Sequence, residues 1–363
     1  MTTTSEREPV NVSQASSCPV MGGQERGSGR ITELDYLKGI MILLMISFHL
    51  VYIGDSYPYA KRVVYTFHMP IFLLISGYLQ NSGKPARQFL RTMLWYAVPY
   101  VIMESGYTIM ASLLPIREHI DHLTLMVFLE KLFVHPLGPY WYLHTLILCA
   151  TTYYAVHRLM PRFSVSQFIL TGILYSLYAS VGILSLPASF YFLAGIIIRH
   201  HLSPLLHHPS ATVPDVSSSG SGPHPTLIPF PKRRLVCALL SLLALLLLIS
   251  HPSSLDSYSV GSVLIVCLVI TMCLAFKPYL GEMINRTLIL LGRNTLCLFL
   301  FSPIFTILCK QLVPLLSFDP TGMIFLVLSL IICTVGSLCI SRLIDICRLS
   351  PFIFGKERVT ITK

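Results

Sequence analysis

Charge is scarce in this chain. Asp, Glu, Lys and Arg make up 12% of its 363 residues, about half the share found in an ordinary soluble domain. That shortage excludes a solvated globular surface of normal extent, and the 54% hydrophobic content beside it points to a multipass membrane protein. The ten cysteines include no Cys-x-x-Cys pair and fall mostly inside apolar runs, so neither a disulfide framework nor a metal site is expected. Acidic residues number 16 against 26 Lys and Arg. The cations are scattered over short loops and form no basic module, so the net charge of +10 speaks for membrane topology and not for a nucleic-acid partner. The first thirty residues lack an apolar stretch of signal-peptide length and are polar and rich in Gly and Ser; they read as a disordered tail.

What the chain does have is apolar runs. Stretches of spanning or near-spanning length occur at about 39–55, 64–80, 92–114, 141–160, 167–185, 188–199, 235–250, 259–276, 286–308 and 322–343, which predicts an all-α protein with about ten transmembrane helices. Residues 201–233, rich in Pro, Ser, Gly and His, read as a long flexible loop between the sixth and seventh spans, and 356–363 as a short tail. Twenty of the 26 Lys and Arg fall on the side of the two termini, five on the other, and Arg293 inside the ninth span. The positive-inside rule places both termini in the cytoplasm.

Ionisable groups inside spans cost a few kcal/mol, about 2.5–3.5 on insertion scales, and ask for a partner or a task. The first span holds Lys38 at its mouth and His49 near its middle, eleven residues on. At 100° per residue the two share one face, about 16 Å apart along the axis, with Asp35 within about 40° of the same stripe. Either His49 ties two helices and Lys38 marks the cytoplasmic side, or the pair has a chemical task. In the second span His68 and Pro70 kink the helix or line a site, and Ser76-Gly77 admits a neighbouring backbone. Arg87 and Arg91 then stand at the cytoplasmic boundary of the third, positioned for anionic lipid headgroups or for a phosphate-bearing ligand.

These segments carry a resemblance. "LDYLKGIMILLMISFH" followed by "FHMPIFLLISGYL" resembles the first two spans of the acyltransferase family 3 proteins, multipass enzymes that O-acylate sugars and other cell-surface molecules. The hallmark of a basic residue, ten residues and a histidine is met by Lys38 and His49. "RQFLRTMLWYAVPY", "GPYWYLHTL", "FYFLAGIII" and "LGRNTLCLFLFSPIF" resemble later family segments in the same order, over residues of about 31–355. The wording is most similar to the fucose 4-O-acetylase-related branch. One departure is Ser302, where many relatives carry a histidine.

The resemblance implies transfer of an acyl group, acetyl first, from acyl-CoA as co-substrate to a hydroxyl of a sugar, polysaccharide or lipid-linked glycan. It places the chain in the plasma membrane, the inner membrane in a bacterium. His49 is then the candidate general base, since imidazole stays largely neutral at working pH. Lys38, Arg87, Arg91, Arg293 and Asn294 are candidates for holding the donor, although Asn294 could instead tie two helices. Glu104 either orients His49 or pairs with Arg293. Trp141 and His144 belong to an interfacial belt or to the acceptor site. A multipass transporter or flippase is the competing reading, disfavoured by the lack of an internal repeat.

Overall fold

The computed structural model describes residues 30–114, 118–160, 165–201 and 230–361. The expectations for the N-terminal tail and the long loop therefore fall almost wholly outside the described residues. Within the compact unit 32–363, every described regular element is a helix: α1 (Thr32–His49), α2 (Val51–Ser56), α3 (Pro58–Leu79), α4 (Ala86–Leu113), α5 (Leu125–Phe133), α6 (Trp141–Leu159), α7 (Val165–Ser180), α8 (Leu186–His201), α9 (Phe230–Ile249), α10 (Val260–Phe276), α11 (Glu282–Arg293), α12 (Thr295–Leu308), α13 (Met323–Ile346) and α14 (Ser350–Ile353), with short 3-10 turns between them.

Four stretches among the described residues are long and apolar enough to cross a membrane: Pro58–Leu79, Val260–Tyr279, Thr295–Leu312 and Met323–Ile346. Two of the expected spans are also drawn differently. The first ends at His49, and a separate short helix, α2, follows after Leu50. The apolar run 286–308 is divided at Asn294 into two helices. The first of them, α11, begins on an exposed stretch of Glu282, Met283 and Ile284 and ends on buried Leu291 and Gly292. A hydropathy window averages over this break because it measures apolarity and not direction.

Two helix crossings set the frame, and both depend on glycine. Where α3 meets α8, a Cβ on Gly77 would fall on the Phe192 carbonyl, and one on Gly195 would fall on the Leu74 carbonyl. The two backbones lie in reciprocal contact, as small residues allow between helices in lipid. The start of α1 meets α11 in the same way, with Gly39 against the Leu288 carbonyl and Gly292 against that of Asp35. Hydroxyls inside the helices mostly bond back to their own turn: Ser47 donates to Leu43 O at 2.8 Å, Thr66 to Arg62 O at 3.0 Å and Ser341 to Ser337 O at 2.9 Å. Such back-bonding satisfies a polar group without a partner helix.

Candidate active site

The last turn of α1 delivers His49 to a cavity of about 300 Å³ enclosed by α1, α3, α8, α10 and α12 and by the entry to α6. Its walls include Met45 and His49 from α1, Tyr65 and His68 from α3, Trp141 from α6 and Tyr191 from α8. Serines 185, 257 and 262 add hydroxyls, while Met69, Pro70, Leu73, Pro139, Pro187 and Ala188 keep much of the wall apolar. Ser185 and Ser257 belong to the α7–α8 and α9–α10 connections, so this cavity lies toward the end of the bundle that carries those two loops.

Two histidines meet there in the same setting. His49 Nδ1 lies 2.7 Å from Met45 O, and His68 Nδ1 lies 2.8 Å from Val64 O, each one turn back along its own helix. A carbonyl oxygen can only accept, so each Nδ1 carries the proton and each neutral ring keeps its lone pair on Nε2. The Tyr65 ring lies between them, with centroids 6.0 Å from His49 and 5.0 Å from His68. His68 is buried, and its Nε2 has no hydrogen-bond partner. Two imidazoles thus line one cavity, each oriented by a bond to the backbone of its own helix.

The remaining candidates divide into three groups. Trp141 lines the cavity, whereas His144, one turn further along α6, points elsewhere and donates through Nε2 to Phe133 O at 2.9 Å. Lys38, Asp35 and Arg293 form a cluster at the opposite end of α1. Asp35 is buried there, with Lys38 Nζ at 2.7 Å and Arg293 Nε at 3.7 Å. Arg87 and Arg91 stand exposed on the first two turns of α4.

Glu104 and Asn294 have tasks that the sequence did not disclose. Glu104 is buried, and its Oε1 accepts the Leu137 N–H at 2.6 Å. It pins the chain just before α6 instead of meeting His49, and Arg293 faces Asp35 in its place. Asn294 is gripped by the C-terminal segment: its Nδ2 donates to Ile361 O at 2.9 Å and its Oδ1 accepts from Ile361 N at 2.8 Å. Asp345 extends the clasp, accepting from Val359 N at 2.9 Å and Thr360 N at 3.0 Å. Bonds spanning 67 residues of sequence have no local signature. Ser76, read as a packing residue, instead reaches across to the Tyr142 hydroxyl at 2.8 Å. Tyr142 drew no attention beside Trp141 in "GPYWYLHTL".

The acyltransferase 3 profile, an acyltransferase domain, matches residues 31–342. The chain belongs to the acyltransferase 3 family. Two curated relatives are similar over shorter stretches. Nodulation protein NolL of Mesorhizobium japonicum is 32% identical over 147 residues, 34% of this chain and 36% of the relative. Nodulation protein NolL of Sinorhizobium fredii is 36% identical over 92 residues, 22% of this chain and 25% of the relative. The chain thus spans about a third or less of the length of these relatives. No solved structure matches it. The acyltransferase 3 match ends at residue 342, so the Asp345 clasp and the segment it holds lie beyond the family domain.

Proposed function

We propose that this acyltransferase 3 protein is a membrane O-acyltransferase that moves a short acyl group, acetyl first, from acyl-CoA to a hydroxyl of a cell-surface sugar or glycan. The observation that carries the reading is the His49 imidazole. It is fixed by the Met45 carbonyl so that Nε2 is the basic atom, and it lines a largely apolar cavity whose aromatic faces and few hydroxyls can meet a sugar ring.

The acceptor hydroxyl oxygen attacks the thioester carbonyl carbon while His49 Nε2 takes its proton. The tetrahedral oxyanion then collapses, the C–S bond breaks, and the proton on His49 passes to the departing thiolate. Atoms and charge balance with no further reactant. A base so positioned contributes about 10²–10⁴-fold. His68, whose ring lines the same cavity, packs against Tyr65 and holds the wall beside His49. Trp141 offers an apolar face for a sugar ring.

The donor's phosphates are cytoplasmic chemistry. On the expected topology of ten spans, Lys38, Arg87 and Arg91 stand on the cytoplasmic side, with Arg293 beside Lys38 at Asp35, and the loops around the His49 cavity on the other. The acyl group is therefore handed from a donor on one side of the membrane to an acceptor on the other. Acetyl transfer in membranes, from isotopically labelled acetyl-CoA to cell-surface glycan, tests the reading against His49→Ala at matched expression. Label transfer that falls at least about a hundredfold is expected, and equal transfer by both proteins would refute His49 as base.

A further inference from the structure

A second cavity, of about 170 Å³, lies between α3, α4 and α6 and is lined by Ser76, Gln80, Asn81, Lys84, Thr92 and Tyr96 among others. Asn81 and Lys84 belong to the α3–α4 connection, so this cavity faces the end that the charge asymmetry assigns to the cytoplasm. It shares no lining residue with the His49 cavity, yet one face of α3 serves both. Met69 and Leu73 line the first and Ser76 and Gln80 the second, at offsets of four, three and four residues along a single helical stripe. From Leu73 to Ser76 is a rise of only about 4.5 Å.

Tyr142, which lines neither cavity itself, touches a wall residue of each. Its hydroxyl bonds to Ser76 Oγ at 2.8 Å, and its ring meets Phe299, a wall of the first cavity, edge-on at 5.3 Å and Phe72 at 6.0 Å. The Ser76–Tyr142 bond joins two helices, whereas Ser47 and Ser337 bond back to their own. We propose that Tyr142, latched to Ser76, is a gate between a cytoplasmic vestibule and the His49 cavity, and that the thioester-bearing arm of the donor passes by displacing it. The identity of the passenger rests on the acyltransfer reading above; the partition itself does not. Gln80, half-buried in the vestibule lining, carries an amide side chain that matches the amide groups of that arm. A gate of this kind lets donor and acceptor enter from opposite sides without joining the two aqueous spaces.

The test uses the full chain in oriented membrane vesicles with a polar, membrane-impermeant thiol reagent. Ala188→Cys places a reporter in the His49 cavity with little change in volume, and the parent chain supplies the labelling baseline from its own cysteines. Labelling from the outer face is expected in every variant, which also shows that the cavity is intact. From the cytoplasmic face the reporter should label slowly with Tyr142 present. It should label about five- to tenfold faster after Ser76→Ala or Tyr142→Phe, the weight of one hydroxyl–hydroxyl bond, and faster still after Tyr142→Ala. The same Ser76→Ala variant should change the KM for acetyl-CoA and leave that for the acceptor unmoved. Rapid cytoplasmic labelling with Tyr142 in place, or no acceleration in any of the three variants, would overturn the gate. Acceleration with an unaltered acetyl-CoA KM would overturn passage of the donor. If wild type transfers no acetyl group, the acyltransfer reading fails while the labelling arm still decides the partition.

Discussion

Asn294 separates two accounts of the same residue by experiment. Its place in "LGRNTLCLF" suggests a donor contact, in which case Asn294→Ala would raise the KM for acetyl-CoA and leave the fold alone. The structure predicts the reverse. The amide is buried and makes two bonds to Ile361, of 2.9 and 2.8 Å, besides one to Leu290 O at 2.9 Å in the preceding helix, α11. Truncation to alanine removes both tail bonds and leaves the Ile361 N–H and C=O without their partner. At about 1 kcal/mol net per bond, rising where a group is stranded out of water, the loss is about 2–3 kcal/mol. Deleting residues 359–363 removes the same bonds from the other side, so its effect should not add to that of Asn294→Ala. Thermal unfolding of the detergent-solubilised protein, together with acetyl-CoA titrations, reads both quantities. A protein that keeps its unfolding temperature while its donor KM rises several-fold would refute the clasp as the role of Asn294.

Other outcomes follow from the same geometry. Glu104→Gln keeps an acceptor for the Leu137 N–H and should be tolerated, whereas Glu104→Ala leaves that amide unpaired and should cost about 1–3 kcal/mol; equal unfolding temperatures would argue against the pin. Gly195→Val drives a side chain into the Leu74 carbonyl and should lower the yield of folded protein sharply, while the same change at Gly106, where a Cβ meets nothing, should be near neutral; comparable yields on size-exclusion chromatography would refute the close crossing. Asp35→Asn leaves Lys38 and Arg293 facing a neutral amide and should destabilise the α1–α11 contact by about 1–3 kcal/mol, below the full penalty of a broken buried pair because Lys38 is partly solvated. At the opposite loop, the Thr321 hydroxyl and the Ile324 N–H hold the exposed Asp319 carboxyl below its usual range. A depressed pKa stabilises the fold above the ordinary carboxylate value of about 3.9 and ceases to do so as pH falls through the lowered value. Asp319→Asn should therefore flatten the acid limb of a stability profile measured across pH 5 to 2.

Part of this was legible in the chain itself. The eleven-residue step from Lys38 to His49 fixes one stripe of one helix, and the structure places the two residues at opposite ends of α1. His49, His68 and Trp141 line a common cavity because each lies on an apolar run whose polar exceptions must face inward. Glu104 was visible as a costly intramembrane acid, but its partner is a backbone amide in a loop, and backbone groups have no sequence signature. The break at Asn294 was hidden for a similar reason. Residues 286–308 are long and apolar enough on average to pass as one span despite Arg293 and Asn294, and at the break Asn294 is held by Ile361 of the tail, which is remote in sequence. Tyr142 was masked by its neighbour, since the tryptophan beside it drew the functional reading while the tyrosine makes the bond between helices.

The reciprocal glycine crossing of α3 and α8 bears on how the pocket can change. These helices supply His68, Tyr65 and Tyr191 to the His49 cavity, and their backbones are already as close as two chains can come. That wall can neither move inward nor be thickened by a substitution at the crossing, so it acts as a fixed datum for the histidines. Under the acyltransfer reading, adjustment to a larger or smaller acceptor falls to the other walls, where Trp141, Phe299 and Ser262 are separate side chains on three different helices. One half of the cavity is thereby committed to geometry and the other left free to diverge with the substrate.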